Sequence, residues 1–84
     1  MLFNFQEADI TAVIKTVSQL TGKNFLLDPR VKGKVSIISA KPVSKKAAYQ
    51  IFLSALKAQG FTIANVTKNT VKIIYYGISK ERVQ

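Results

Sequence analysis

The side chains that carry most enzyme chemistry are rare in this sequence of 84 residues, which contains no histidine and no cysteine. Without an imidazole or a thiolate, the usual nucleophilic triads and zinc sites cannot be assembled. The remaining candidates are four scattered acids: Glu7, Asp9, Asp28 and Glu81. We interpret Glu7 and Asp9 as neighbours of the positive end of a helix, and Asp28 as part of a turn with Pro29. The sequence therefore predicts a protein that is not an enzyme and uses no metal or cofactor.

Nucleic-acid binding is the second chemistry to consider, because thirteen lysines and arginines against four acids give a formal charge of +9. Such a charge attracts acidic partners of several kinds. However, the glycines form neither a phosphate loop nor a dinucleotide fingerprint: Gly22, Gly33, Gly60 and Gly77. The rings that could stack on bases fall at core-facing positions instead: Phe3, Phe5, Phe52 and Phe61. The sequence thus favours a solvated basic face, and no nucleic acid is expected as a partner.

The positive charge is concentrated in the middle of the chain. One stretch holds seven cations, opposed only by Asp28: Lys23, Arg30, Lys32, Lys34, Lys41, Lys45 and Lys46. We expect them to form a basic belt around a middle hairpin. Lys45 and Lys46 fall in the first turn of a predicted helix, where the helix dipole disfavours each positive charge by about 0.3 to 1 kcal/mol. Either an acidic partner or neighbouring subunit compensates there, or the charges are tolerated on a solvent-facing turn.

The first quarter of the chain predicts a strand followed by a helix. Residues 2–6 alternate around two phenylalanines, which indicates a short strand with both rings on one face. Apolar residues then recur at spacings of three and four, which predicts a helix over residues 9–21. Asp9 is suited to its start, and Gly22 to a left-handed residue at its end.

The rest of the chain predicts two pairs of strands separated by a second helix. Residues 24–27 and 34–39 form the first pair, with turn residues between them. The helix lies within Ser44 to Gly60, where serine is a good cap and glycine closes the apolar stripe. Residues 61–66 and 70–76 are rich in β-branched and aromatic side chains and predict a terminal hairpin.

Length and element order together predict a single α+β domain. Two helices flanked by small mixed or antiparallel β-sheets, in the order β-α-β-β-α-β-β, satisfy the pattern. We assign residues 1–77 to the domain and residues 78–84 to the start of a linker. Because no signal-peptide pattern opens the chain, we expect Met1 to be an added start residue on a domain taken from a longer protein.

Some strands carry more apolar residues than one buried face needs. Strand alternation places one set at the core: Val35, Ile37, Val71, Ile73 and Tyr75. The same alternation leaves Ile38, Ile74 and Tyr76 on the opposite faces. These residues either support a second layer or mark a sheet edge or face that another protein or a neighbouring domain covers.

Three segments of the sequence resemble the N-terminal periplasmic domain of type II secretion secretins. They are residues 3–10 (FNFQEADI), residues 21–35 (TGKNFLLDPRVKGKV) and residues 48–56 (AYQIFLSAL) with the following Gly60-Phe61. The Asp-Pro, basic, Val, Lys-Gly run inside the second segment is the most specific part. The resemblance covers essentially residues 3–76.

The resemblance implies a fold shared with the signalling domain of TonB-dependent receptors. It also implies the periplasmic part of an outer-membrane channel, whose subunits form a homo-oligomeric ring and whose outermost periplasmic end contacts the inner-membrane clamp protein. Exported proteins would pass nearby and are possible partners. Two alternatives remain open: a receptor signalling domain, or the N-terminal domain of a pilus or phage secretin.

Contacts with the clamp protein are expected at strand edges, since edge strands offer unpaired backbone groups to a partner strand. We assign them to the first strand, the strand at residues 34–39 and the start of the second helix. The candidate residues are Leu2, Phe3, Asn4, Phe5, Gln6, Lys34, Val35, Ser36, Ile37, Ile38, Ser39, Lys45 and Lys46.

Overall fold

The computed structural model describes residues 2–77, which form two helices and two small sheets. The elements in chain order are β1 (Phe5–Asp9), α1 (Ile10–Thr21), β2 (Asn24–Leu27), β3 (Lys34–Ile37), α2 (Lys45–Ala58), β4 (Phe61–Thr67) and β5 (Thr70–Tyr75). This order and the α+β class confirm the sequence prediction. Met1 and the predicted linker at residues 78–84, with Glu81, lie outside the described residues.

The strands pair differently from the sequence prediction in one respect. β1 pairs with β3 in an antiparallel two-stranded sheet, whereas β2 lies parallel to β5 in a three-stranded sheet of order β2-β5-β4. The predicted middle hairpin of residues 24–27 and 34–39 is therefore wrong, and the basic stretch does not surround one. The six residues between the two strands, with a turn in which Val31 N–H donates to the Asp28 carbonyl at 2.9 Å, carry the chain from one sheet to the other. The terminal β4–β5 hairpin is confirmed.

The two ends of α1 lie at the residues that the sequence predicts, Asp9 and Gly22, but the Asp9 side chain does not cap the helix. Gly22 adopts φ +74°, and its N–H donates to the Ser18 carbonyl at 2.8 Å, so the left-handed end is confirmed. Asp9 occupies the N-cap position with an extended backbone, but its side chain makes no capping hydrogen bond. The carboxylate instead accepts from Lys34 Nζ at 3.3 Å, because pairing of β1 with β3 brings that ammonium beside it.

The core lies where the two helices meet one face of each sheet. α1 contacts α2, β1 and β2, and α2 also contacts β4. Phe52 of α2 contacts the rings of Phe25 and Tyr49, which joins the second helix to the three-stranded sheet. The buried apolar residues are Phe3, Ile10, Val13, Ile14, Val17, Val31, Val35, Ile37, Ala48, Phe52, Leu56, Phe61, Val71 and Ile73. The core assignment of Val35, Ile37, Val71 and Ile73 is thus confirmed, and Tyr75 is half-buried.

Strand β1 contains a bulge where it pairs with β3. The register shifts between Phe5 and Ala8, and Glu7 within the bulge has φ +47°. Its N–H donates to Ser36 Oγ at 3.0 Å, so a side chain of β3 satisfies the displaced backbone group. A residue with a Cβ is strained in this left-handed region.

Glu7→Gly is expected to stabilise the domain by about 0.5 kcal/mol. Relief of the left-handed strain is worth roughly 1 to 2 kcal/mol, and the extra freedom of glycine in the unfolded chain offsets roughly 0.5 to 1 kcal/mol of it. Chemical denaturation measures the difference. Glu7→Ala removes the same carboxylate but keeps a Cβ, so it should bring no gain. Equal stability of the two variants would contradict the strain argument.

Candidate functional site

The two stretches predicted to contact a partner lie side by side in the structure. β1 and β3 pair through Phe5 with Ile37 and Ala8 with Val35. Side-chain hydrogen bonds extend the pairing past both strands, because Ser39 Oγ donates to the Phe3 carbonyl at 3.2 Å and Ser39 N–H donates to Asn4 Oδ1. We call residues 2–9 with residues 34–39 the β1–β3 ladder.

The ladder has one face in the core and one face in solvent. Phe3, Val35 and Ile37 are buried, and Phe3 meets the half-buried Phe5 ring edge to face at 5.1 Å between centroids. A partner could reach these residues only through their backbone. The side chains that are exposed are Leu2, Asn4, Gln6, Glu7, Asp9, Lys34, Ser36 and Ile38. Ile38 is 86% exposed and Leu2 60%, so the solvent face has an apolar end.

The edge of β3 is partly closed at its first residue. Gln59 Nε2, at the end of α2, donates to the Lys34 carbonyl at 3.5 Å. The Lys34 ammonium contacts the Asp9 carboxylate, and both side chains are mostly exposed, so this ion pair contributes little stability. The sequence analysis does not predict the role of Gln59, because its contact with Lys34 joins residues 25 positions apart and no local pattern reveals such a contact.

Lys45 and Lys46 stand apart from the ladder. They are the first two residues of α2, which contacts α1 and β4. The helix begins with a cap from Ser44, whose Oγ accepts from Ala47 N–H at 3.1 Å, and its first turn contains no acid. Within residues 2–77 the ion pairs are Asp28–Arg30 and Asp9–Lys34, so both lysines are exposed charges that form no ion pair in this described part of the chain.

The Asp-Pro motif lies in the loop that connects β2 of one sheet to β3 of the other. Asp28 Oδ1 accepts from Arg30 N–H at 2.8 Å and from Arg30 Nε at 3.1 Å, while Oδ2 accepts from Nη2 at 3.2 Å. The guanidinium also lies 5.1 Å from the centre of the Tyr75 ring. These hydrogen bonds from Arg30 lower the pKa of Asp28 below its ordinary value of 3.8. The motif therefore fixes the path of the chain after β2.

Asp28→Asn is expected to lower the melting temperature at neutral pH but not in strong acid. Because the folded-state pKa of Asp28 is lowered, the carboxylate contributes stability above its unfolded pKa, and this contribution is lost as pH falls through the folded value. Asparagine keeps the acceptor for Arg30 N–H and lacks the charge. Melting curves of both proteins from pH 7 to pH 2 should converge below about pH 4. A difference that stays constant with pH would contradict this.

Comparison with known proteins identifies the fold. The family model described as the GspD-like N0 domain of type II secretins matches residues 3–73. The chain belongs to this family of secretin N0 domains. It is similar to the secretin XcpQ of Pseudomonas aeruginosa, with 45% identity over 60 residues that cover 71% of this chain and 9% of the relative. This chain thus spans about a tenth of the curated secretins it matches.

Solved structures of N0 domains agree with the present one. The N0 domain of the type II secretin from enterotoxigenic Escherichia coli superposes with a TM-score of 0.83 at 32% identity, covering 89% of this chain and 93% of that one. The GspC–GspD complex of the type II secretion system from the same pathogen gives 0.79 at 27% identity, covering 90% and 56%. The resemblance to the N0 domain of type II secretins is confirmed.

The N0 domain is the periplasmic part of an outer-membrane secretin. Neither described helix of this chain is long and apolar enough to cross a membrane. Within residues 2–77, no group of three or more acidic side chains is placed to hold a metal ion.

Proposed function

We propose that this N0 domain is a non-catalytic docking module that binds the inner-membrane clamp protein of its secretion machine through the solvent face and edge of the β1–β3 ladder. The secretin subunits that carry it would form a homo-oligomeric ring, and exported proteins would pass close to it. The observation that carries the proposal is Ile38, an apolar side chain 86% exposed on a ladder whose other face is fixed in the core.

The rigidity of the ladder supports its use as a binding surface. Phe3 and Ile37 anchor the two strands, so Leu2 and Ile38 are held outward without ordering a flexible segment on binding. Burying an isoleucine side chain is worth roughly 1.5 to 3 kcal/mol. A partner that covers Ile38 would therefore gain about a tenfold or greater increase in affinity from this residue alone.

A GspC partner is supported by the related GspC–GspD complex of the type II secretion system. The net charge of the domain would attract an acidic partner from a distance, because residues 29–77 contain no aspartate or glutamate. They contain nine cations: Arg30, Lys32, Lys34, Lys41, Lys45, Lys46, Lys57, Lys68 and Lys72. The ladder itself carries Lys34 beside the exposed Glu7 and Asp9, so this attraction comes from the domain as a whole. Association with an acidic surface would be steered by this field and weakened by salt.

Calorimetric titration of this domain with the periplasmic domain of the GspC-type protein from the same organism tests the proposal. We expect saturable binding that weakens at high salt, and at least a tenfold loss of affinity in Ile38→Ser. Val66→Ser, at a 53% exposed residue of β4 in the other sheet, is the matched control and should bind as the native domain does. No binding, or equal effects of the two substitutions, would reject the ladder as the docking site.

A further inference from the structure

The free edge of the three-stranded sheet is a second surface with unpaired backbone groups. Asn24 N–H donates to the Asn69 carbonyl at 2.7 Å, and Asp28 N–H donates to the Ile73 carbonyl at 3.3 Å. Successive residues of a strand direct their N–H and C=O groups to opposite sides. Phe25 and Leu27 therefore point theirs away from β5, and among the described elements no further strand pairs with β2.

This edge is short, but it lacks several other features that usually protect an edge strand. Charged residues, prolines and bulges discourage the addition of another strand, and β2 contains none of them. Leu26 is 50% exposed and Leu27 44%. Leu26 and Leu27 are adjacent on this strand of four residues. A partner strand would therefore meet two apolar side chains as well as the backbone groups.

Positive charges lie near β2, although Lys72 is on its paired side and the half-buried Lys23 has its ammonium 5.9 Å from the centre of the Tyr49 ring. Lys23 directly precedes β2, and Lys72 of β5 lies beside Leu26 in the parallel register. Lys68 is in the hairpin turn next to Asn69, whose carbonyl holds the start of β2. Asp28 is the acid at this edge, and Arg30 already occupies its carboxylate.

We propose that the outer edge of β2 is a second docking site, which adds an extended, acidic segment of another protein as a fourth strand. The backbone groups of Phe25 and Leu27 would pair with the incoming strand, Leu26 and Leu27 would contact its apolar residues, and its acids would contact Lys23 and Lys72. A second copy of this chain fits poorly, because joining two β2 edges would bring like charges together. This site is in the other sheet from the β1–β3 ladder and does not depend on the proposed clamp contact.

Amide exchange measured by NMR tests the pairing directly. In the free domain the amides of Phe25 and Leu27 should exchange fast, and those of Asn24 and Asp28 slowly. A capped nonapeptide of alternating glutamate and valine should slow exchange at Phe25 and Leu27 at least tenfold and leave Asn24 and Asp28 unchanged. The matching lysine–valine peptide should have no effect. Unchanged exchange at saturating acidic peptide, or equal slowing by both peptides, would overturn the proposal.

Two variants separate the backbone contribution from the charge. Leu27→Pro removes an N–H that points outward, which an edge strand tolerates, and should weaken binding of the acidic peptide at least tenfold. Lys72→Glu leaves every backbone group of the edge in place and should weaken binding of the acidic peptide about threefold or more. Lys57→Glu makes the same charge change on α2 and should leave peptide binding unchanged. If Leu27→Pro does not fold, the Lys72→Glu and Lys57→Glu pair decides; equal binding by these two would reject the site.

Other occupants of the edge would give different results. Slowing of Phe25 and Leu27 that grows with domain concentration in the absence of peptide would assign the edge to a second copy and overturn the proposal. Shifts at β2 caused by phosphatidylglycerol vesicles, without slowed exchange at these amides, would also overturn it. Ile38→Ser should leave peptide binding intact, and Leu27→Pro should leave clamp binding intact, so failure of this site is distinguishable from failure of the ladder.

Discussion

Phe52→Ala is expected to destabilise the domain by about 3 to 5 kcal/mol, because truncation of a buried phenylalanine removes its burial and leaves a cavity. Phe52 is 1% exposed, and its ring meets Phe25 of β2 at 5.8 Å and Tyr49 of the same helix at 6.1 Å between centroids. Its loss therefore loosens both the second helix and the three-stranded sheet.

The size of this effect matters because the domain is small. A folded unit of this length has a total stability of about 4 to 12 kcal/mol, so the substitution removes a large fraction of it. Urea unfolding followed by circular dichroism measures the change. Ser54→Ala, at an exposed position of the same helix, should change stability by less than about 0.5 kcal/mol. A loss below about 1 kcal/mol in Phe52→Ala would show that Phe52 is not a central core residue.

Local patterns in the sequence were sufficient for the elements whose stability depends on local chemistry. The three- and four-residue spacing of Ile10, Val13, Ile14 and Val17 predicts α1, and all four are buried on one side of that helix. The β4–β5 hairpin follows from two β-branched runs and a short turn. Strand alternation also predicts the exposure of Ile38, since Ile37 before it is buried.

Pairing between distant strands could not be predicted in the same way. β2 and β3 are neighbours in sequence, but β2 pairs with β5 and β3 with β1. A period of two tells which face of a strand is buried and not which strand lies beside it. Asp9 begins α1 as its N-cap residue, as the sequence indicates, but the contact of its side chain with Lys34 depends on the same distant strand pairing and could not be predicted.

The candidate site shows the consequence for function. The sequence predicts strand edges at residues 2–6 and 34–39, whereas the paired strands of the structure are Phe5–Asp9 and Lys34–Ile37. The sequence also treats supporting and exposed residues alike. In the structure Phe3, Val35 and Ile37 are buried, and Leu2 and Ile38 face solvent. Mutations of these two groups should therefore reduce binding for different reasons, one by loosening the ladder and the other by removing contact.

Phe3→Ala is expected to destabilise the domain by about 3 kcal/mol or more and to weaken docking of the clamp protein only as far as the ladder unfolds. Phe3 is 1% exposed, its ring contacts Phe5, and its carbonyl accepts from Ser39 Oγ, so it holds the first strand against the connection after β3. Urea unfolding gives the stability, and titration with the periplasmic domain of the GspC-type protein gives the affinity.

Ile38→Ser is the matched comparison, because it alters a solvent-facing residue of the same ladder. It should change stability by less than about 0.5 kcal/mol and still reduce affinity at least tenfold. Lowering the temperature toward the maximum of the stability curve, or adding an osmolyte that favours the compact state, should restore binding in Phe3→Ala and not in Ile38→Ser. If neither condition restores binding in a refolded Phe3→Ala domain, then Phe3 itself contacts the partner. Because its ring is buried in the free domain, the ladder would have to open on docking for this contact to form.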